Sequence, residues 1–462
     1  MEVREAELLG YFLRAAAGKS GLRSLLGKHF GGLAVEQILT ASRDFPVTSR
    51  VDVQSACNEI FAAREGARLL GVSSQVNHET ATLASFLTPG PWPSEVSPLQ
   101  HDEVDIGDDT PVRCLKNGLW LAKEGGLPFA VLLSPAMQYG QVGGSHVEIG
   151  VPSGEEGADF SARFFRDLEV RVTAGRTYRG RVLSLEQAMG YGGLSGAVKV
   201  HRLRKVEREE VILPRKTLDL LDRNVGQFVA ARERIKQLRF SARKGLLFHG
   251  PPGTGKTHTI HYLASQLPGH TTLLITAEQV ASIGEYFRLA RFLAPSMMVI
   301  EDVDLIARER ENMANPMQEV MLNKLLNEMD GLREDADVLV ILTTNRPDQL
   351  EPALAARPGR IDQAIEFPLP DDEGRRKLAM LYSRGIEVPD EVVDLVVRRT
   401  AGGSAAFIKE LMRRSAQFEI EASGGAVLSP ASVEAAMEEM VFSGGAVNLK
   451  LLGGPGPGNQ AP

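Results

Sequence analysis

The run Gly250-Pro251-Pro252-Gly253-Thr254-Gly255-Lys256-Thr257 limits what this chain can fold into more than any other segment. It follows the strand-like stretch Gly245 to His249 and opens into the helix-like stretch His258 to Leu267, so strand, glycine-rich loop and helix come in order. Glycines let consecutive backbone N–H groups turn inward around phosphate oxygens. In such a loop Lys256 reaches the β and γ phosphates and the Thr257 hydroxyl ligates Mg²⁺. The candidate phosphate-binding set is therefore Gly250, Pro251, Pro252, Gly253, Thr254, Gly255, Lys256 and Thr257, with His258 at the start of the helix. A glycine turn that merely joins a strand to a helix is the competing reading, and the residues downstream decide against it.

Met297-Met298-Val299-Ile300 is a short buried-strand run ending in Glu301-Asp302, which puts two carboxylates at the carboxyl edge of a parallel sheet, where ligands of open α/β sheets sit. Glu301 is expected to hold the Mg²⁺ shell and Asp302 to polarise the attacking water. The alternative register puts Asp302 on Mg²⁺ and makes Asp304 the base, at the cost of burying Glu301 at a strand end. Val338 to Leu342 is another buried strand, and it ends in Thr343-Thr344-Asn345, where the Asn345 amide can orient water beside the γ-phosphate. Arg357-Pro358-Gly359-Arg360 then sets two guanidinium groups three residues apart, as arginine fingers supplied to a neighbouring subunit would be.

These residues resemble the AAA ATPases over residues 214 to 440, about half of the chain. The resemblance rests on Gly250 to Thr257, on Glu301-Asp302-Val303-Asp304, on the helix Leu322 to Gly331, on Thr344-Asn345-Arg346-Pro347, and on Pro352-Ala353-Leu354 leading to Arg357-Pro358-Gly359-Arg360-Ile361-Asp362. They look like Walker A, Walker B, the second-region-of-homology helix, sensor 1 and the arginine-finger segment. The resemblance implies a hexameric homo-oligomeric ring with ATP at each subunit interface, whose hydrolysis remodels a protein partner. Three departures stand out. The Walker B pair is Glu301 then Asp302, where the usual order is Asp then Glu. The pore-loop position reads Ala281-Ser282-Ile283-Gly284 without the aromatic of threading members, and Tyr286 and Phe287 are expected to pack in a helix core. The small-domain signature, usually Ser-Gly-Ala, is Ser404-Ala405-Ala406.

At 462 residues the chain has room for several domains. Its hydrophobic fraction of 43% and charged fraction of 24% read as an ordinary globular protein, and a net charge of −7 argues against non-specific nucleic-acid binding. Cys57 and Cys114 are too far apart in sequence for a metal-binding spacing and read as small buried residues in a reducing cytoplasm. No run reaches the length of a membrane span, and the acidic start, Glu2, Glu5 and Glu7, does not read as a signal peptide, so a cytoplasmic protein is expected.

Residues 1–95 read as helical, with apolar spacing of three and four in Glu5 to Ala17 and Asp52 to Leu70. A break follows at Thr88-Pro89-Gly90-Pro91-Trp92-Pro93. Residues 96–213 read as an α+β domain for partner or substrate recognition, with a hairpin across Glu124-Gly125-Gly126, a strand at His146 to Val151 and a helix at Ala158 to Val172. Tyr139 to His146 reads as a hairpin connection, Trp120 as core, and the basic run Arg202 to Lys205 as a solvated strand end answered by Glu207, Glu209 and Glu210. Leu218 to Leu238 reads as a helix, with Asn224-Val225-Gly226 in its interior in preference to an adenine-contacting turn.

The fold expected is α/β: a P-loop NTPase module of the AAA type over 214–370, a parallel sheet with helices on both faces, followed by a small helical lid at 371–442 and a disordered Gly/Pro-rich tail at 443–462. The function expected is a Mg²⁺-dependent ATP hydrolase that remodels or disassembles protein partners. A nucleotide-gated scaffold ring with slow hydrolysis is the alternative. A kinase is disfavoured because it needs no neighbour's arginine, and a nucleic-acid motor by the acidic balance. His78-Glu79-Thr80-Ala81-Thr82 lacks the second histidine of a metalloprotease motif.

Overall fold

The computed structural model describes residues 21–73, 79–88, 94–138, 141–187, 196–307, 316–348, 350, 359–443 and 454. The expected helix at Glu5 to Ala17, Trp92, Arg357 and most of the 443–462 tail lie outside these residues. The chain forms two compact units, Met1–Tyr178 with Leu185–Val200, and Arg179–Ser184 with His201–Pro462.

The first unit is built on strands β1 (Ile38–Pro46), β2 (Arg68–Ser73), β3 (Glu95–Ser97), β4 (His101–Val104), β5 (Val112–Leu115), β6 (Gly118–Glu124), β7 (Leu127–Gln138) and β8 (Gln141–Pro152). Six of them make a sheet in the order β1-β8-β7-β6-β2-β3, antiparallel at each registered pair. Both of its faces are covered. Leu119, Leu121, Ala130 and Leu132 pack with α1 (Leu22–His29) and α3 (Leu83–Leu87). The alternate residues Trp120 and Phe129 meet Phe61 of α2 (Arg50–Ala62), Trp120 stacking on it at 5.1 Å, while Phe129 also meets Phe160 of α4 (Glu155–Ala174). Double coverage explains why β6 and β7 read as unbroken apolar runs where a half-exposed strand would alternate. The β6–β7 turn pairs Glu124 with Leu127, and Gly125 and Gly126 take φ of 58° and 92°, the doubly positive backbone of a tight hairpin.

This sheet corrects the expected boundary at residue 95. Residues 38–46 and 68–73 are strands of the same sheet as 118–152, so the first 95 residues are neither a separate domain nor wholly helical. The helix predicted over Asp52 to Leu70 ends at Ala62, and Gly66, at φ 78°, turns the chain into β2. Leu69 and Leu70 continue the helical spacing by coincidence. β1 escaped notice because it is an edge strand whose middle, Ser42, Arg43 and Asp44, is polar and exposed. Cys57 and Cys114 are buried free thiols.

The division between the units falls within β9 (Val182–Gln187) and at the end of β10 (Gly196–His201). The second unit holds the strands β11 (Lys244–His249), β12 (Thr271–Ile275), β13 (Ser296–Ile300), β14 (Val338–Thr344) and β15 (Gln363–Glu366). With β9 they run in the order β9-β12-β13-β14-β11-β15, parallel at every registered pair. β13 and β14 are buried along their whole length, as strands covered on both faces must be. The helices are α5 (Arg215–Leu221), α6 (Phe228–Gln237), α7 (Lys256–Gln266), α8 (Ile283–Phe292), α9 (Val303–Ala307) and α10 (Pro316–Asp330). A π-helical turn, Asp222–Gln227, joins α5 to α6, and its Val225 is fully buried in the sheet's core, so the Asn224-Val225-Gly226 turn is helix interior. Among the described residues no helix is long and apolar enough to cross a membrane.

Four more helices, α11 (Asp372–Tyr382), α12 (Asp390–Arg399), α13 (Ala405–Ser423) and α14 (Pro430–Glu438), gather around their own core of Val392, Val396, Phe407, Leu411 and Val433. Ser404 caps α13 by accepting from Phe407 N at 3.2 Å, and Ser429 caps α14 by accepting from Ser432 N.

Candidate functional site

Parallel register brings the chemistry to one edge. Phe248 and His249 pair with Thr343 and Thr344, and Ile300 pairs with Leu342, so β11, β13 and β14 end side by side. Each then delivers a functional segment: Gly250 to Thr257, Glu301-Asp302 and Asn345.

The loop requires its glycines. Gly253 has φ 75°, and a Cβ there would lie 2.8 Å from the Ser404 hydroxyl and 2.9 Å from the Ala406 methyl; Gly255 has φ 96°. Lys256 is buried at the first turn of α7, its Nζ donating to the carbonyls of Gly250 at 2.8 Å and Pro251 at 2.9 Å. Burial pushes its pKa down to about 8, partly offset by the carboxylates of Asp302 and Asp304. The Thr257 hydroxyl donates to Glu301 Oε1 at 2.9 Å. The Asn345 amide donates to Asp302 Oδ1 at 3.0 Å, while Asp302 N is held by Thr343 Oγ1 at 3.0 Å.

Asp304 is differently employed. It is fully buried, and its Oδ1 accepts from Thr344 Oγ1 at 2.9 Å and from Asn345 N at 3.1 Å, which leaves it anchoring the end of β14. That favours the register with Glu301 beside the metal position and Asp302 facing the reaction. Thr257 and Glu301 offer oxygen donors only, a set that suits Mg²⁺. Among the described residues no cluster of three or more His, Cys, Asp or Glu side chains is poised to hold a metal by itself.

A cavity of about 390 Å³ opens over these groups. Thr254, Lys256, Asp302 and Asn345 line it, together with Val211, Ile212, Tyr382 and Ala406. Sequence reasoning missed Val211, Ile212, Leu213 and Tyr382. The signal available was the short apolar run Val211 to Leu213 ended by Pro214, which precedes α5. Ala406 N donates to Gly253 O at 3.1 Å, so the lid grips the loop through the signature that carries the extra methyl at Ala405. His258 Nε2 donates to the Glu210 carbonyl at 3.2 Å, and burial lowers its pKa, leaving a neutral ring that fastens α7 to the cavity wall.

Of the two arginines only Arg360 is among the described residues. Arg360 has a nearly buried side chain, 8% exposed, and its guanidinium is held by both carboxylate oxygens of Asp330 at the end of α10. Within its own subunit Arg360 is thus a partner of Asp330, and a finger role would require it to exchange that pair for a neighbour's phosphate. Ile283, Tyr286 and Phe287 are fully buried in α8, as expected of helix-core residues and not of a pore loop. Of the basic run, Arg204 pairs with Glu210 and Lys205 with Glu207.

Residues 246–369 match the family described as ATPase family associated with various cellular activities (AAA). Among similar proteins, the chain is 35% identical over 200 residues to a proteasome-activating nucleotidase of Methanothermobacter thermautotrophicus, covering 41% of this chain and 48% of that one. It is 34% identical over 194 residues to a cell division cycle protein 48 homolog of Archaeoglobus fulgidus (40% and 26%), and 32% identical over 206 residues to the ATP-dependent zinc metalloprotease FtsH of Thermus thermophilus (42% and 33%). The chain thus spans about half or less of the length of these relatives.

Proposed function

We propose that this chain, whose residues 246–369 match the AAA ATPase family, hydrolyses ATP with Mg²⁺ and uses the energy to remodel a protein partner. The observation that carries the reading is the pairing of Thr257 with Glu301 and of Asn345 with Asp302 beside one cavity that also holds Lys256. Lys256 and the loop N–H groups bind the phosphates, Thr257 and Glu301 hold the metal, and Asn345 orients Asp302 so that it can take a proton from water. Bound Mg²⁺ supplies charge neutralisation on the phosphates. The subunits form a homo-oligomeric, hexameric ring, with Arg357 as the finger that reaches the next site. The first unit selects the partner. Ile283 buried in α8 supports remodelling by prying or disassembly over threading of an extended chain. The same burial gives the scaffold alternative its one specific support.

The test is Asp302→Asn. Asparagine tolerates the φ of 49° that Asp302 adopts, so the fold is retained. ATP should stay bound while turnover falls by roughly 10² to 10⁴, the range for loss of a positioned base. Full activity in Asp302→Asn together with inactivity in a folded Asp304→Asn would reverse the assignment. A partner captured by ATP-loaded Asp302→Asn, and released on wild-type turnover, separates remodelling from the scaffold.

A further inference from the structure

The segment that leads into the nucleotide cavity is fastened by one carboxylate. Glu210 is buried, unlike Glu207 and Glu209 beside it. Its Oε1 accepts from Arg204 Nη2 at 2.6 Å and from Arg384 Nη1 at 3.2 Å, and its Oε2 accepts from Glu207 N at 3.0 Å. Its carbonyl takes the hydrogen bond from His258, in the first turn of α7. Arg384 lies just past the end of α11, in the lid. One residue therefore ties together the incoming chain, the helix that carries Lys256, and the lid.

The next three residues are cavity wall. Val211, Ile212 and Leu213 line it, Ile212 packing on the lid core and Leu213 on the sheet core. Nothing else among the described hydrogen bonds joins this wall to both α7 and the lid. Without the carboxylate, Arg204 and Arg384 would face each other as like charges, and the wall would lose its polar tie to the lid while keeping its backbone hydrogen bonds and apolar contacts.

We propose that Glu210 is a positioning residue for the nucleotide: by clasping Arg384 and holding His258, it sets the 211–213 wall against the lid, so that wall and lid close on the ligand as one body. The inference rests on the reading of this cavity as the nucleotide site. Glu210 touches no reacting atom, so its effect falls on binding. The same clasp gives lid position a route to the chain that precedes the ATPase domain, through Arg204.

Glu210→Gln keeps the shape and an oxygen for Glu207 N but removes the charge, and Arg384→Gln alters an exposed side chain that the fold does not need. ADP, which is not hydrolysed, is the probe, titrated calorimetrically on the full chain, with ATP KM and kcat measured beside it. Loss of a charge-assisted hydrogen bond should raise the ADP Kd and the ATP KM about tenfold in either variant, with kcat changed less than about twofold. The double variant should be no weaker than Glu210→Gln alone, because the two residues act through one contact. Wild-type ADP affinity in both single variants, or fully additive losses in the double, overturns the clasp and leaves the ATPase reading standing. A wild-type protein that binds neither ADP nor ATP overturns both.

Discussion

Raising the pH from 7 to 9 should loosen ATP in a way that Lys256 alone dictates. Its ammonium is buried beneath the loop, and its pKa stands at about 8 against an ordinary 10.5. Phosphates bind the protonated form, so affinity follows the protonated fraction of the empty site, about 0.9 at pH 7 and about 0.09 at pH 9. The Kd should therefore rise about tenfold over this range, equal to about 1.4 kcal/mol. The stability of the empty protein moves the other way. Between about 8 and 10.5 the unfolded chain binds the proton that the folded lysine has lost, so this group's contribution to stability rises with pH. ATP-induced gain in melting temperature should accordingly shrink as the melting temperature of the empty protein gains. The assay is calorimetric or fluorescence titration at saturating Mg²⁺, with Lys256→Arg as the control, since a guanidinium does not titrate here. A wild-type Kd that stays flat from pH 7 to 9, parallel to Lys256→Arg, would refute the assignment of a depressed lysine to the phosphate site.

Lys256→Ala should bind no detectable ATP, and Arg357→Ala should bind ATP but hydrolyse it poorly; mixing the two should restore part of the activity, because some interfaces then pair an intact loop with an intact finger. Absence of complementation, with a monomer at full activity by mass photometry, would end the ring model. Arg360→Ala should instead lower the melting temperature, by removing one side of the Asp330 pair and leaving a cavity, and Asp330→Asn should reproduce the loss; a stable Arg360→Ala that loses only turnover would return Arg360 to the finger role. Ile283→Ala should cost about 2 to 5 kcal/mol of stability as a buried core truncation, read by urea unfolding, while ATP-dependent unfolding of an end-tagged folded client should be absent in the wild type.

The nucleotide half of the fold was legible because its parallel strands are buried on both faces. Leu246 to Phe248, Met297 to Ile300 and Val338 to Leu342 stand out as unbroken apolar runs, each followed within three residues by a candidate site residue, Gly250, Glu301 and Asn345. The antiparallel half hid itself for the opposite reason. β1 exposes most of its side chains, and β2 falls where a preceding helix's spacing continues, so neither strand announced itself. The loop, both carboxylates and Asn345 could be named from spacing alone. Of the cavity wall only the apolar run at 211–213 left a trace in the sequence; Tyr382 and the Glu210 contacts left none, because they depend on how residues far apart in sequence meet across the lid. The Asp330 partner of Arg360 was hidden for a related reason: a Pro-Gly-Arg turn looks free in sequence, and only the end of α10 supplies the carboxylate that meets it.

The inverted carboxylate order also finds its explanation in backbone, not in side-chain length. Glu301 is still registered to the sheet, its N–H donating to Ile275 O at 2.9 Å, so its longer side chain extends from the strand end to Thr257. The next residue breaks away: Asp302 takes φ 49°, a left-handed conformation that aspartate adopts with less strain than most residues, while Thr343 fixes its N–H. That turn brings a short carboxylate to the cavity and under the Asn345 amide, a place that an extended backbone would reach only with a longer side chain. Two residues on, Asp304 returns to the core and locks Thr344 and Asn345 N, which fixes the position of the amide that holds Asp302. The three acidic residues thus form a chain of dependence, with Asp304 positioning Asn345, Asn345 positioning Asp302, and Glu301 left free to serve Thr257. Such strain at a non-glycine residue is retained where the surrounding contacts over-determine it, and here Thr343 and Asn345 grip Asp302 from two sides.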